Sequence, residues 1–159
     1  MIGERAEAYP ELVDAVIQGG HSIGVHNYSH PTRTFWAFGR RKVADELDRS
    51  LEALMRGECR PQLFRSPVGI KNVFLRRALS ARRLHCVAWS IRSGDALSRS
   101  VASVVARVEQ ELRPGAIILL HEGPPMDSSV RIEAIRAVVA MIQTKGFRCV
   151  LPERERWVR

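Results

Sequence analysis

The chain has 159 residues, and its 45% apolar and 26% charged composition is ordinary for a globular domain. Its net charge of +8 comes mainly from arginines spread along the sequence, without the basic arm or recognition motif typical of nucleic-acid-binding proteins, so no nucleic-acid partner is expected. No apolar stretch is long enough to predict a membrane span. No signal peptide is recognised at residues 1–12, so the chain is expected to be cytoplasmic as encoded, while the sequence leaves the compartment of the native protein open.

Apolar periodicity predicts short strands and helices in alternation. The predicted helices cover residues 10–18, 41–56, 73–83, 101–112 and 129–145. The predicted strands cover residues 21–25, 62–64, 86–91, 116–120 and 148–151. This alternation indicates an α/β fold with a parallel sheet and crossover helices, formed by one domain.

The three cysteines do not indicate a disulfide framework or a zinc-binding motif, because their number is odd and no two are spaced as Cys-x-x-Cys. Cys86 and Cys149 lie within predicted strands, among apolar residues. Both thiols are therefore expected to be buried.

Side chains with metal-binding or acid–base chemistry follow the carboxyl ends of four predicted strands. His26 and His30 follow the first strand, Arg65 the second, Asp95 the third and His121 the fourth. In parallel α/β folds these strand ends form one edge, where ligands bind. Neutral imidazole is the commonest protein ligand for divalent metals, so the two nearby histidines predict part of a metal site. Taken singly, Arg65 could be a surface arginine and Asp95 a helix cap.

The sequence around these residues resembles the polysaccharide deacetylase (NodB-homology) family. The segments GHSIGVHNYSHP, FRSPVG, WSIRSGD and ILLHEG are similar to its second to fifth motifs, in the same order. The resemblance implies that residues 1–159 form a single partial domain, a distorted (β/α)7-type barrel of parallel strands. It also implies a metal-dependent de-N-acetylase that uses a divalent metal, most often zinc, and takes an N-acetylated glycan as substrate.

The resemblance also implies roles for the residues that bind metal and substrate. His26 and His30 match the two histidine ligands of the metal. The backbone N–H of Val68 matches the donor that stabilises the oxyanion, a role that tolerates the change from the family's usual tyrosine. Leu120 matches the apolar wall of the substrate site.

Three further residues match the family's catalytic groups. His121 matches the general acid that protonates the leaving amine. Arg65 matches the arginine that pairs with the catalytic base. Asp95 matches the aspartate that supports this arginine and the site.

The family's first motif, Thr-Phe-Asp-Asp-Gly, is absent from the sequence, which contains no adjacent pair of aspartates. That motif carries the catalytic base and the third metal ligand. Its absence predicts that the first strand–helix unit and most of the second strand are missing, either because the reading frame starts upstream or because the gene is truncated. As encoded, the chain is therefore expected to be inactive or weakly active.

Two further expectations follow from an incomplete barrel. The alternative function is that of a non-catalytic remnant that binds glycan or a partner protein. An open barrel would expose unpaired strand edges at residues 21–25 and 148–151, and such edges favour oligomer formation.

Overall fold

Helices and two-residue parallel strands alternate along the chain in the computed structural model, which describes residues 1–56, 59–98, 100–122 and 127–152. These residues divide into two units. The first comprises Met1–Ala88 with residues 151 and 152, and the second comprises Trp89–Val150. Within the described ranges, no helix is long and apolar enough to cross a membrane.

The described residues of the first unit form four α-helices, two short 3₁₀ helices (Phe35–Ala37 and Pro67–Gly69) and a three-stranded sheet. The α-helices are α1 (Gly3–Ala8), α2 (Pro10–Gln18), α3 (Arg40–Leu54) and α4 (Leu75–Ala81), and the strands are β1 (Gly24–Val25), β2 (Leu63–Phe64) and β3 (His85–Cys86). The strands are parallel in the order β1-β2-β3, with Val25 opposite Phe64 and Phe64 opposite Cys86.

The core of this unit forms where α3 presents an apolar stripe at helical spacing. Val43, Leu47 and Leu54 from α3 are fully buried, together with Val25 and Phe64 from the sheet. The strand ends that carry the predicted site residues therefore extend directly from the packed centre of the unit.

The second unit pairs two parallel strands, β4 (Ile91–Arg92) and β5 (Ile118–Leu119), with helices α5 (Val101–Glu111) and α6 (Ser128–Thr144). Its core joins Ile91 to buried residues of both helices, among them Val104, Val108, Val138 and Ile142. The predicted parallel α/β class is therefore confirmed within each unit.

The predicted strand over residues 86–91 is wrong as a single element, because its backbone changes hydrogen-bond partner midway. The N–H of Val87 donates to the carbonyl of Phe64 at 2.8 Å, whereas the N–H of Ser90 donates to the carbonyl of Ile117 at 2.9 Å. The segment thus contributes β3 to one sheet and β4 to the other.

The predicted strand over residues 148–151 is also wrong, since these residues pair with no described strand. Val150 and Leu151 are 66% and 54% exposed, so their apolar side chains do not mark a buried sheet position. Cys149 is exposed for the same reason, and Cys86 is exposed on the outer strand β3, which corrects the expectation that both thiols are buried.

The sequence predicts an unpaired strand edge at residues 21–25, but the outer edge of β1 forms backbone hydrogen bonds with Met1. The α-amino group of Met1 donates to the Gly24 carbonyl, and the N–H of His26 donates to the Met1 carbonyl at 2.9 Å. The backbone of Met1 therefore lies along β1 on the side away from β2. Oligomer formation through strand edges stays a prediction.

Replacing Asn72 tests what stabilises the loop after the histidines, because the buried Asn72 side chain donates hydrogen bonds to the loop backbone. Asn72 Nδ2 donates to the carbonyls of Phe35 and Phe38 at 2.8 and 2.9 Å. Asn72→Ala removes both of these bonds, so urea unfolding should show a loss of about 1–3 kcal/mol. The exposed neighbour substitution Lys71→Ala should change stability by less than about 0.5 kcal/mol. Equal losses of stability in the two variants would contradict the stabilising role of the Asn72 hydrogen bonds.

Candidate active site

The two histidines after β1 face each other through the nitrogens that could bind a metal. Their Nε2 atoms are 3.1 Å apart, and their ring centroids are separated by 4.7 Å. Two nitrogen ligands on a tetrahedral zinc ion, each at about 2.0–2.1 Å, are about 3.3 Å from each other. The separation of the His26 and His30 nitrogens therefore fits two neighbouring positions of such an ion.

The ring of His26 is oriented by the residue that follows β2. Its Nδ1 lies 2.7 Å from the backbone carbonyl of Arg65, which can only accept a hydrogen bond. Nδ1 therefore carries the proton, and Nε2 keeps the lone pair that a metal requires. Burial lowers the pKa of His26 from 6.5 to about 4, although the hydrogen bond to Arg65 opposes this shift. The imidazole is thus neutral at neutral pH.

The histidine pair supplies only part of a complete metal site. Across the described ranges, no group of three or more His, Cys, Asp and Glu side chains could hold a metal ion. His26 and His30 thus fit two ligand positions, and no described carboxylate joins them as a third. A metal held by two imidazoles keeps its remaining positions open.

Arg65 joins the histidine segment to the residues that follow β3. Its Nε and Nη2 atoms donate to the carbonyls of Val87 and Ala88 at 3.3 and 3.2 Å. The resemblance implies a carboxylate partner for the Arg65 guanidinium. Among the described residues, however, no carboxylate forms an ion pair with Arg65. In this structure Arg65 orients His26 through its carbonyl and binds the backbone after β3 through its side chain.

Val68 presents a backbone donor from a strained conformation. It lies in a short 3₁₀ turn, Pro67–Gly69, with φ 45° and ψ 21°, and it is 55% exposed. A β-branched residue rarely adopts positive φ, and such strain costs on the order of 1–3 kcal/mol. No described residue accepts a hydrogen bond from its N–H. The N–H of Val68 is thus an available donor, and its oxyanion role stays a prediction.

In the second unit, His121 and Asp95 form a hydrogen-bonded pair after β5 and β4. The Asp95 Oδ1 lies 2.8 Å from His121 Nδ1, and its Oδ2 accepts from the His121 N–H at 2.5 Å. The Ser93 hydroxyl donates to Oδ1 at 2.9 Å. The Asp95 side chain is 5% exposed, whereas that of His121 is 45% exposed. A buried carboxylate thus orients an imidazole that remains open to a substrate.

The charge of Asp95 is maintained by its hydrogen bonds. Burial raises the pKa of this carboxyl, but the side-chain and backbone bonds from His121 and the bond from Ser93 outweigh it and lower the pKa of Asp95. An ionised carboxylate only accepts hydrogen bonds, so His121 Nδ1 carries a proton. The alternative role of Asp95 as a helix cap is wrong, because the side chain of Ser100 caps α5.

The remaining predicted positions are described more briefly. Leu120 is half-buried and packs against the core of the second unit. Gly123, the last residue of the fifth motif, lies outside the described residues. Since the histidine pair and the His121–Asp95 pair belong to different units, each is described within its own unit.

Sequence reasoning missed Glu46, which accepts hydrogen bonds from the backbone between His26 and His30. Its Oε2 accepts from the N–H groups of Tyr28 and Ser29 at 3.0 and 2.9 Å. The signal was present in α3, because a carboxylate at position 46 interrupts the apolar stripe of that helix. A charged residue on a buried helix face requires partners, and here the partners are the site backbone.

The low pKa of His26 predicts how the stability of the metal-free protein depends on pH. The unfolded chain takes up a proton near pH 6.5 and the folded protein near pH 4, so the free energy of unfolding should fall as pH decreases between these values. The loss is bounded at about 3 kcal/mol and is reduced by solvent reaching the half-buried ring. His26→Asn keeps an amide donor in place of Nδ1 and does not titrate. Urea unfolding should show a flatter profile for this variant, and parallel profiles would contradict the assignment.

Comparisons with known proteins identify the family to which these residues belong. The sequence profile described as polysaccharide deacetylase matches residues 1–87, more than half of the chain. A chitooligosaccharide deacetylase of Rhizobium leguminosarum bv. trifolii is 30% identical over 161 residues, covering 92% of this chain and 73% of that protein. A bifunctional xylanase/xylan deacetylase of Cellvibrio japonicus is 33% identical over 123 residues, covering 77% of this chain and 18% of that protein.

The fold is similar to that of a solved carbohydrate esterase. The family 4 carbohydrate esterase from Streptomyces lividans, in complex with acetate, matches with a TM-score of 0.82 and 29% identity, covering 96% of this chain and 81% of that chain. This likeness confirms the predicted fold, a partial (β/α) barrel with parallel strands. By its sequence and its fold, the chain belongs to the polysaccharide deacetylase family.

Proposed function

We propose that this chain carries the metal-binding histidines and the acid pair of a metal-dependent carbohydrate de-N-acetylase. The observation that carries the proposal is the convergence of His26 and His30, whose Nε2 atoms are 3.1 Å apart. Membership of the polysaccharide deacetylase family supports the same chemistry. A divalent metal, with zinc as the first choice for imidazole ligands, would be held by these two nitrogens.

The proposed reaction is hydrolysis of an acetamide on an amino-sugar polymer. Water adds to the acetyl carbonyl carbon, the C–N bond breaks, acetate leaves, and the sugar nitrogen takes up a proton to form the amine. A bound zinc ion would supply a Lewis acid for this chemistry. The free N–H of Val68 is suited to stabilise the negative charge that develops on the carbonyl oxygen.

His121 would supply the proton to the leaving nitrogen. Its Nδ1 is held by Asp95, so Nε2 is the ring nitrogen left to exchange a proton with substrate, and the side chain is 45% exposed. The Asp95 carboxylate accepts from Nδ1 and so fixes the orientation of the ring for this transfer. This division of roles follows the general pattern of a carboxylate-oriented histidine.

The proposed substrate is an N-acetylated glycan. The relative named as a chitooligosaccharide deacetylase supports this choice, because chitooligosaccharides carry acetamido groups. In the second unit, the His121 side chain is 45% exposed, which makes it accessible to a glycan. We expect glycan rather than nucleic acid to be the partner.

A second candidate function is glycan binding without catalysis. It is favoured by the ligand set, because no described carboxylate completes the histidine pair into a three-ligand group. The lack of a general base lowers a rate by about 10²–10⁴. We therefore expect the 159-residue chain by itself to turn over little substrate.

Metal binding and acetate release distinguish the two candidates. Zinc titrated into the purified chain by calorimetry should bind weakly, and His26→Asn and His30→Gln should each abolish the binding because two ligands become one. Acetate release from N-acetylchitooligosaccharides and peptidoglycan fragments should be slow and zinc-dependent.

The outcomes of these assays have distinct meanings. Zinc binding without any turnover, together with retained glycan binding, would favour the non-catalytic function. Failure of the wild-type chain to bind zinc or cobalt would overturn the proposed metal centre. Equal zinc affinity of the wild type and both histidine variants would place the metal elsewhere.

The orientation of His121 can be tested without turnover. Long-range ¹H–¹⁵N NMR should report a proton on Nδ1 of the neutral His121 ring, because the ionised Asp95 accepts there. Asp95→Ala should shift the ring toward the tautomer mixture of an unrestrained imidazole. Ser93→Ala removes the hydroxyl that donates to Asp95 Oδ1 and accepts from the Asp95 N–H. It keeps the His121 contact, so it should preserve the Nδ1 proton. An unchanged His121 tautomer in Asp95→Ala would refute this orienting role.

A further inference from the structure

Glu46 is a buried carboxylate whose hydrogen bonds all reach the segment between the two histidines. Glu46 lies in the middle of α3 and is 6% exposed. Oε2 accepts from the N–H groups of Tyr28 and Ser29 at 3.0 and 2.9 Å, and Oε1 accepts from the Ser29 hydroxyl at 2.6 Å. A buried carboxylate is costly without such partners, so this arrangement ties α3 to the histidine segment.

The same segment is held from its opposite side by the first turn of α1. The N–H groups of Gly3 and Glu4 donate to the carbonyls of Asn27 and Tyr28, each at 3.0 Å. Glu46 thus accepts from two N–H groups of the segment, and α1 donates to two of its carbonyls. Two different helices bind these peptide groups.

The hydrogen bonds from Glu46 and α1 hold a backbone segment whose φ angles are unfavourable for non-glycine residues. Asn27 has φ 58° and His30 has φ 52°, in the left-handed region that non-glycine residues rarely occupy. Such residues persist where surrounding contacts over-determine them. The Asn27 side chain is fully buried, and neither its Nδ2 nor its Oδ1 has a described hydrogen-bond partner, so this amide does not hold the turn.

We propose that Glu46 is the positioning residue of the metal centre and sets the separation of the His26 and His30 imidazoles. The inference deepens the proposed function and rests on its histidine ligands. Tyr28 and Ser29 lie between the two histidines, so fixing their N–H groups on one carboxylate fixes how the chain turns from one ring to the other. Outer hydrogen-bond partners of metal ligands typically change metal affinity by about 10–100-fold.

The hydrogen-bond pattern predicts a graded response at position 46. In Glu46→Gln, the amide oxygen can accept both backbone N–H groups, and the amide nitrogen can donate to the Ser29 hydroxyl. This variant should keep zinc affinity within about threefold of the wild type. Glu46→Ala removes every one of these bonds and should weaken zinc binding by about tenfold or more.

A substitution in the same helix separates positioning from general stability. Val43 is fully buried one turn before Glu46, and its side chain is apolar. Val43→Ala should lower the urea midpoint through loss of core contacts, while the folded protein keeps its zinc affinity and the visible absorption spectrum of its cobalt-loaded form. Glu46→Ala should change both the affinity and the cobalt spectrum. If Val43→Ala and Glu46→Ala weaken zinc equally, or if Glu46→Gln behaves as Glu46→Ala, the positioning role is overturned.

A readout on the metal-free protein keeps the two proposals distinguishable. Amide hydrogen exchange at Tyr28 and Ser29 should accelerate in Glu46→Ala, and the imidazole ¹⁵N shifts of His30 should change, whereas Val43→Ala at matched stability should leave both unaltered. If the wild-type chain binds no zinc but these changes occur, the metal centre fails and the positioning of the histidines stands. If neither exchange nor imidazole shifts respond to Glu46→Ala, the positioning role fails regardless of metal.

Discussion

The parallel pairing of β1 with β2 is the constraint on which the histidine site depends. Val25 lies opposite Phe64, so the residues that follow, His26 and Arg65, leave the sheet side by side. This register brings the Arg65 carbonyl to 2.7 Å from His26 Nδ1. A slip of one residue would turn every side chain of the strand to the other face and remove the contact. The fully buried Val25 and Phe64 hold the register through core packing.

The two oriented histidines of this chain differ in the kind of group that accepts their Nδ1 proton. His26 donates from Nδ1 to a neutral carbonyl, and burial keeps the ring neutral, with its lone pair on Nε2. His121 instead faces the ionised carboxylate of Asp95 through Nδ1. A carbonyl partner suits the ligand role proposed for His26, and a carboxylate partner suits the acid role proposed for His121.

Much of the fold and part of the site could be predicted from local patterns. The helix over residues 10–18 was predicted with its observed bounds, because Pro10 can begin a helix and Gly19 follows its last turn. The strand over 86–91 could not be divided from sequence, since the change of partner from Phe64 to Ile117 depends on two distant segments. The strand over 148–151 failed because an apolar run forms a strand only where another strand is present to pair with it.

By itself, the sequence determined the family, the parallel α/β class and the identity of the chemical groups, because motif spacing and apolar periodicity are properties of the chain alone. Only the tertiary structure decided how those groups are used. Three contacts exist only in the folded chain. They are the 3.1 Å approach of the His26 and His30 Nε2 atoms, the pairing of Asp95 with His121, and the hydrogen bonds from the Tyr28 and Ser29 N–H groups to Glu46. Hydrogen-bond geometry of this kind depends on ångström-scale placement and on burial, which become defined when the helices and strands pack together.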